Sequence, residues 1–163
     1  MPLFAVTALL VLVLDQLTKV LVRGHISYGG QFPLLPGWVH LVFIDNRGAA
    51  WSVLTGRRVF LLVFTSLVTL VVAAMAREMV ARGKLAATGW GLILGGALGN
   101  LSDRAFHQGR VTDFIQLDTT ISAIRTFPVF NVADSALTVG VVLMVLSILI
   151  SGRNAKTSTP TAT

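Results

Sequence analysis

Carboxylates are scarce in this chain and unevenly placed. Of its 163 residues only seven are acidic, six of them aspartate, and Asp103, Asp113, Asp118 and Asp134 fall within one short stretch. Asp113 stands in Val111-Thr112-Asp113-Phe114, where the expected extended segment offers a charge no obvious structural use. Asp134 closes Phe130-Asn131-Val132-Ala133-Asp134, just after Pro128. An asparagine three residues before an acid has the spacing of a helix capping box, and an acid suits the first turn of a helix. Two readings of Asp134 are therefore open, a helix-terminal acid or a reacting group. Two carboxylates brought from separate elements to one boundary could share a proton. One would act as base toward a water and the other as acid toward a scissile carbonyl. That is the chemistry of an aspartic peptidase, but spacing alone does not bring the two together.

Other polar residues sit where an apolar chain should not hold them. Asp15 and Lys19 interrupt the first apolar run four residues apart, hence on one helix face. A carboxylate inside a membrane-crossing segment costs about 2.5–3.5 kcal/mol, so such a residue usually has a partner or a task. An ion pair that neutralises itself and a direct role toward substrate are both open. Asn100, Asp103 and Arg104 lie within about one turn at the end of the third apolar run. They either form a polar floor for a site or end the helix at the headgroups. Gly91, Gly95 and Gly99 recur every fourth residue, a spacing that lets another helix approach closely and that could also make room for a ligand entering from lipid.

Competing chemistries find less support. With no cysteine there is no thiol nucleophile, thiolate metal site or disulfide. His25, His40 and His107 are scattered, and HExxH, GxSxG and a glycine-rich phosphate loop are all missing. The expectation is a site with no metal and no cofactor.

The elements that must position these residues are membrane helices. The chain is 54% hydrophobic and 12% charged, against roughly a quarter charged in soluble domains. Apolar runs at about 3–22, 59–76, 85–101 and 132–150 are each long enough to cross a ~30 Å hydrocarbon core. The first lacks a basic leader region and carries Asp15 and Lys19, so it reads as a retained helix rather than a cleaved signal peptide. The net charge of +6 is spread in ones and twos, which suits anionic lipid headgroups rather than nucleic acid. Basic residues are densest at 77–84, with Arg153 and Lys156 in the tail. That places both termini and the 77–84 loop in the cytoplasm, although Arg57-Arg58 pulls the other way. The long segments 23–57 and 102–131 then share the outer face. The first, rich in proline and glycine, reads as turns and a small sheet with Trp38 and Trp51 as interface anchors, and Val111–Leu117 reads as a strand. The expected architecture is all-α and integral to the membrane. It has four spanning helices, a small extracytoplasmic β-sheet and loop region, one domain over 1–152 and a disordered cytoplasmic tail over 153–163.

Five ordered motifs resemble the bacterial lipoprotein signal peptidase family (signal peptidase II). They are Asp15-Gln-Leu-Thr-Lys19, Asn46-Arg-Gly48-Ala-Ala-Trp51, Gly95-Gly-Ala-Leu-Gly-Asn100-Leu-Ser-Asp103-Arg104, Val111-Thr-Asp113-Phe114 and Phe130-Asn131-Val-Ala-Asp134. The resemblance covers everything but the tail. It implies a multi-pass aspartyl endopeptidase of the bacterial cytoplasmic (inner) membrane, its active site toward the extracytoplasmic face. Such an enzyme cuts diacylglyceryl-modified prolipoproteins just before the lipidated cysteine. By the same resemblance Asp113 and Asp134 match the catalytic pair. Asn46, Gly48, Asn100, Arg104 and Asn131 match polar positions lining the site, and Asp15, Lys19 and Asp103 match supporting residues. The implied partners are lipid-modified prolipoproteins and membrane lipids, no cofactor is implied, and a monomer is expected. One departure is that segment 115–127 lacks the tryptophans common in the family between its two aspartates.

A small proton-coupled carrier is the competing reading. A carrier should distribute ionisable residues through the membrane depth. Here the second and fourth runs have none in their middles and the third has none before Asp103, which favours an enzyme working at one boundary.

Overall fold

The computed structural model describes residues 1–48 and 57–157. Trp51 lies outside them. In chain order come α1 (Pro2–His25), β1 (Gln31–Leu35), β2 (Val39–Asn46), α2 (Arg58–Ala81), α3 (Lys84–Phe106), β3 (Val111–Leu117), the single turn α4 (Ser122–Arg125) and α5 (Val132–Thr157). Each long helix overruns its apolar run. Hydropathy marks only the stretch that suits hydrocarbon, whereas backbone hydrogen bonding continues through polar turns such as Arg23-Gly24-His25 and Ser102–Phe106. Likewise α5 passes Ile150 and continues to Thr157, and residues 158–163 lie outside the described part.

Among the described residues three helices are long and apolar enough to cross a membrane: α1, α2 and the Val132–Ser151 portion of α5. Their outward faces carry Leu9, Leu10, Leu17, Phe60, Phe64, Leu70, Ile148 and Leu149, all more than half exposed. An apolar surface of that extent is at home in lipid rather than water.

The less apolar α3 is the centre of the bundle, packing against α1, α2 and α5. Its glycines are what let it sit there. A Cβ on Gly95 would lie 2.6 Å from the Ala8 carbonyl oxygen of α1, and one on Gly96 2.5 Å from the Ala133 carbonyl oxygen of α5. Gly91, Gly95 and Gly99 all face α1, filled by Phe4 and Thr7, by Ala8 and Val11, and by the Asp15 carboxylate in turn. The stripe is thus spent on packing, and the expectation that it leaves room for a ligand from lipid is corrected. On another side of α3, the Trp90 indole N–H donates to the Val72 carbonyl of α2 at 2.8 Å.

The strands form one antiparallel sheet in the order β1-β2-β3. It joins the two long connections, as expected of segments sharing one face. Pro33, which cannot donate a ladder hydrogen bond, is confined to the edge strand β1. Along the β2–β3 pair Val39 faces Leu117, Ile44 faces Asp113 and Asn46 faces Val111. The other side of β3 captures the start of α5. Phe114 and Ile115 donate to the Phe130 carbonyl at 3.0 and 2.7 Å, and Phe130 donates back to Ile115 at 3.1 Å. This short bridge sets Asp113 on β3 beside the first turn of α5.

Candidate active site

Asn131 is the junction of the site. It is fully buried, immediately before α5, and its side-chain oxygen accepts the Asp134 backbone N–H at 2.9 Å. The Asp134 carboxylate accepts the Asn131 backbone N–H in return at 3.2 Å. That reciprocal pair is a capping box with asparagine and aspartate in its two places. Because a backbone N–H can only donate, Asn131 must present its amide nitrogen to the other side. There it donates to Asp113 Oδ1 at 2.7 Å and leans on Asn100 Oδ1 at 3.2 Å. Asp134 is therefore a capping acid that also belongs to the cluster.

The remaining oxygens of the two aspartates also meet amides. Asn46, at the end of β2, donates to Asp113 Oδ2 at 2.9 Å, while its own oxygen accepts the Gly48 N–H at 2.9 Å. Asn100 of α3 donates to Asp134 Oδ1 at 2.8 Å. Burial and then the charge of neighbouring Asp134 push the Asp113 carboxyl up to about 7. The amides of Asn46 and Asn131 and the charge of Lys19 pull it the other way.

Below this pair lies a second cluster, centred on Lys19. Its ammonium group reaches Asp15 at 2.9 Å, Asp103 at 3.1 Å and Asn100 Oδ1 at 3.0 Å, with all three charged side chains fully buried. Asp15 also accepts the Ala133 N–H at 2.9 Å, and Asp103 accepts the Thr112 N–H at 2.9 Å. One ion cluster on α1 and α3 thereby grips the residues next to Asp134 and Asp113. Of the two readings of Asp15 and Lys19, the ion pair is present and tied to both neighbouring elements. Asn100, Asp103 and Arg104 are all buried, with Asn100 and Arg104 lining a cavity and Asp103 held in the ion cluster.

Arg104 donates to the Gly48 carbonyl at 3.0 Å, yet its buried Nε–H has no partner among the described residues. A cavity of about 830 Å³ opens here, with Asp113, Asp134, Asn46, Asn100 and Arg104 on its polar side. Val111, Leu117, Phe127, Phe130, Leu137 and Val139 supply an apolar side. Phe127 and Phe130 meet edge to face at 5.6 Å, in the region where the sequence departs from the family's tryptophans.

Every residue singled out in the five motifs and described here joins this network: Asp15, Lys19, Asn46, Gly48, Asn100, Asp103, Arg104, Asp113, Asn131 and Asp134. Asp118 stays apart, paired with His40 at 3.1 Å. Sequence reasoning missed Gln16, Arg23 and Thr112. Gln16 donates to Asp15 and to the Gly99 carbonyl, both at 3.1 Å. Arg23 donates to the Thr112 hydroxyl at 2.9 Å and lies 3.5 Å from Asp103. The signal for Arg23 was its position, one further turn along the Asp15–Lys19 face.

Fold and site together define a polytopic helical membrane protein with a carboxylate-lined cavity at the end of its bundle that carries the sheet. A solved structure described as a bacterial membrane enzyme is similar to this chain, with a TM-score of 0.83, 28% identity, and 100% and 95% of the two chains covered. A profile of the family described as signal peptidase (SPase) II matches residues 7–150. The lipoprotein signal peptidase of Shouchella clausii is 42% identical over 94% of this chain and 97% of its own. That of Halalkalibacterium halodurans is 39% identical over 94% and 96%, and that of Listeria monocytogenes (strain HCC23) 38% over 91% and 94%. The chain belongs to the signal peptidase II family, and with it to the multi-pass bacterial membrane peptidases.

Proposed function

We propose that the protein is an aspartic endopeptidase that removes the signal peptide from diacylglyceryl-modified prolipoproteins, cutting just before the lipidated cysteine. The observation that carries this reading is the meeting of Asp113 and Asp134, from separate elements, on one cavity with neutral amides as their direct partners. In the proposed reaction Asp134 takes a proton from a water as its oxygen attacks the scissile carbonyl carbon. Asp113 gives its proton to the carbonyl oxygen. Collapse of the tetrahedral intermediate breaks the C–N bond, and the amine leaves with a proton returned through the same pair. Asn46, Asn100 and Asn131 hold the carboxylates in register. Arg104, on the polar side of the cavity, holds the Gly48 carbonyl. Asp15, Lys19 and Asp103 support the site from below.

The layout fits a substrate that is half lipid. Leu117, Phe127, Phe130 and Val139 offer an apolar wall for acyl chains beside the polar floor that handles the peptide. A fourth span also belongs to this reading. Helix α2 starts beside the α3–β3 turn, where Arg58 lies against Gly109, and α3 ends there. If α2 crosses the bilayer, α3 must cross back. The cavity then lies at the outer face of the inner membrane, with residues 1–152 as one domain acting as a monomer. Purified protein incubated with a lipid-modified prolipoprotein should release its signal peptide in the presence of EDTA. Intact precursor, or equal cleavage of a precursor lacking the diacylglyceryl group, refutes the proposal. Single cysteines replacing Gln31 and Arg82 test the topology. An impermeant reagent added outside should label the first and spare the second.

A further inference from the structure

We propose a second site at the same end of the bundle: the cavity among Arg47, Arg58 and Arg110 binds the phosphate of a phospholipid headgroup. The cavity measures about 160 Å³ and is completed by Gln108 and Gly109, so it shares no residue with the carboxylate-lined one. The turn beneath it is built for the purpose of closeness. Gln108 and Gly109 both have positive φ, 57° and 81°, and a Cβ on Gly109 would overlap the Arg58 side chain. The stem of Arg58 therefore lies directly across the turn, and Arg58 lines one cavity with Arg47 and Arg110.

The charges do not balance within the protein. Arg110 is paired with Asp45 at 3.0 Å, but among the described residues Arg47, Arg57 and Arg58 have no acidic partner. Arg57 and Arg58 also occupy the N-cap and first position of α2, whose first turn contains no acid and whose cap makes no side-chain hydrogen bond. A helix N-terminus repels cations, so this is an unfavourable place for two arginines unless an anion joins them. Guanidinium groups bind phosphate oxygens through paired, charge-assisted hydrogen bonds. The same anion accounts for Arg57-Arg58 standing on the outer side against the basic-inside pattern.

A lipid fits better than free phosphate because of what lies below. Val59, Phe60, Val63 and Phe64, in the first two turns of α2, are all more than half exposed, and Phe60 and Phe64 stack at 5.9 Å. Charge above and an exposed apolar strip beneath match an amphiphile with a phosphodiester head. This inference rests on the reading that α2 crosses the membrane with Arg58 at headgroup depth.

Delipidated protein in detergent, titrated with dioleoyl phosphatidylglycerol or with dioleoylglycerol and followed by native mass spectrometry, tests it. The wild type should prefer the phospholipid over the phosphate-free lipid by roughly tenfold, the worth of one or two such hydrogen bonds. Arg47→Gln/Arg58→Gln should lose that preference, and Arg58→Lys should keep part of it. Arg58→Gln alone, checked by thermal unfolding, serves if the double variant does not fold. Equal binding of the two lipids, or a preference that survives the double variant, overturns the proposal. So does displacement of phosphatidylglycerol by equimolar inorganic phosphate, which would make this a free-phosphate site. Cleavage of precursor by the same samples separates the two proposals. A wild type that discriminates lipids but does not cleave leaves the headgroup site standing and removes the peptidase reading, whereas labelling of a cysteine at Arg82 from outside removes the membrane placement of both.

Discussion

Asp15 and Asp103 face a cation; Asp113 and Asp134 face amides. All four belong to one hydrogen-bonded network within the same end of the bundle, and Asn100 touches both halves, accepting from Lys19 and donating to Asp134. The difference lies in what each pair can do with a proton. A carboxylate held 2.9 or 3.1 Å from a fully buried ammonium is tied into an ion cluster and serves as a brace. A carboxylate whose direct partners are the amides of Asn46, Asn100 and Asn131 is oriented without being neutralised. Its protonation state is then free to change during a reaction. The sheet end of the bundle thus contains an ion cluster and, beside it, an amide-held pair that the proposed reaction uses as acid and base.

The comparison breaks most sharply at the upper pair. Asp113→Asn and Asp134→Asn should each lower turnover on lipid-modified precursor by about 10²–10⁴, the range associated with a positioned acid or base. Both variants should remain folded. If Asp134 serves only its capping box, replacing it should cost about 0.5–2 kcal/mol of stability and leave turnover largely intact. Asp103→Asn should reduce turnover less than either, because Asp103 acts by holding Thr112 and Lys19. Turnover and thermal unfolding measured in one detergent separate these outcomes, and a folded Asp113→Asn enzyme with near wild-type turnover would remove it from the pair.

The lower pair should fail in the opposite manner. Lys19→Met removes the ammonium that both buried carboxylates contact, leaving Asp103 the more distant Arg23. Breaking such a cluster costs about 3–5 kcal/mol, so this variant should unfold at a far lower temperature or fail to accumulate. Adding Asp15→Asn and Asp103→Asn should recover part of the loss by removing the unpaired charges. A Lys19→Met protein with unchanged unfolding temperature would show that the ion cluster contributes no stability.

Much of this site was legible in the sequence, and the illegible part has a physical cause. Asp15 and Lys19 announced a shared face by helical spacing, and Asn131 and Asp134 announced a cap. Strand β3 occupies the Val111–Leu117 stretch expected of it. What spacing could not supply was the Phe130–Ile115 bridge, a contact between elements that sets Asp113 beside α5. Arg23 and Thr112 were missed for the same reason, since they meet only when α1 and β3 are brought together by Asp103. The glycines of α3 were legible as packing residues. That Gly91, Gly95 and Gly99 face α1 while Gly96 faces α5 depends on how the whole bundle is arranged. The 85–101 run is less apolar than the other three because α3 packs against α1, α2 and α5, where small residues serve better than large apolar ones.

The finest test of the comparison is pH, since Asp113, on the amide-held side, is a carboxyl raised toward neutrality. Asp113 is raised from the ordinary 3.8 to about 7, chiefly by burial and then by Asp134. As the proposed acid it must carry its proton, so turnover should fall as pH rises above about 7, approaching tenfold per unit. Stability should move the same way. Between about 4 and 7 the folded protein holds a proton on Asp113 that the unfolded chain has released, so stability declines as pH rises through that window. The slope is at most about 1.4 kcal/mol per unit. Asp113→Asn should remove that slope and Asp103→Asn should leave it in place. Unfolding curves at several pH values decide the matter: a slope that survives Asp113→Asn would mean that some other group binds the proton, and that Asp113 is not the acid the comparison makes it.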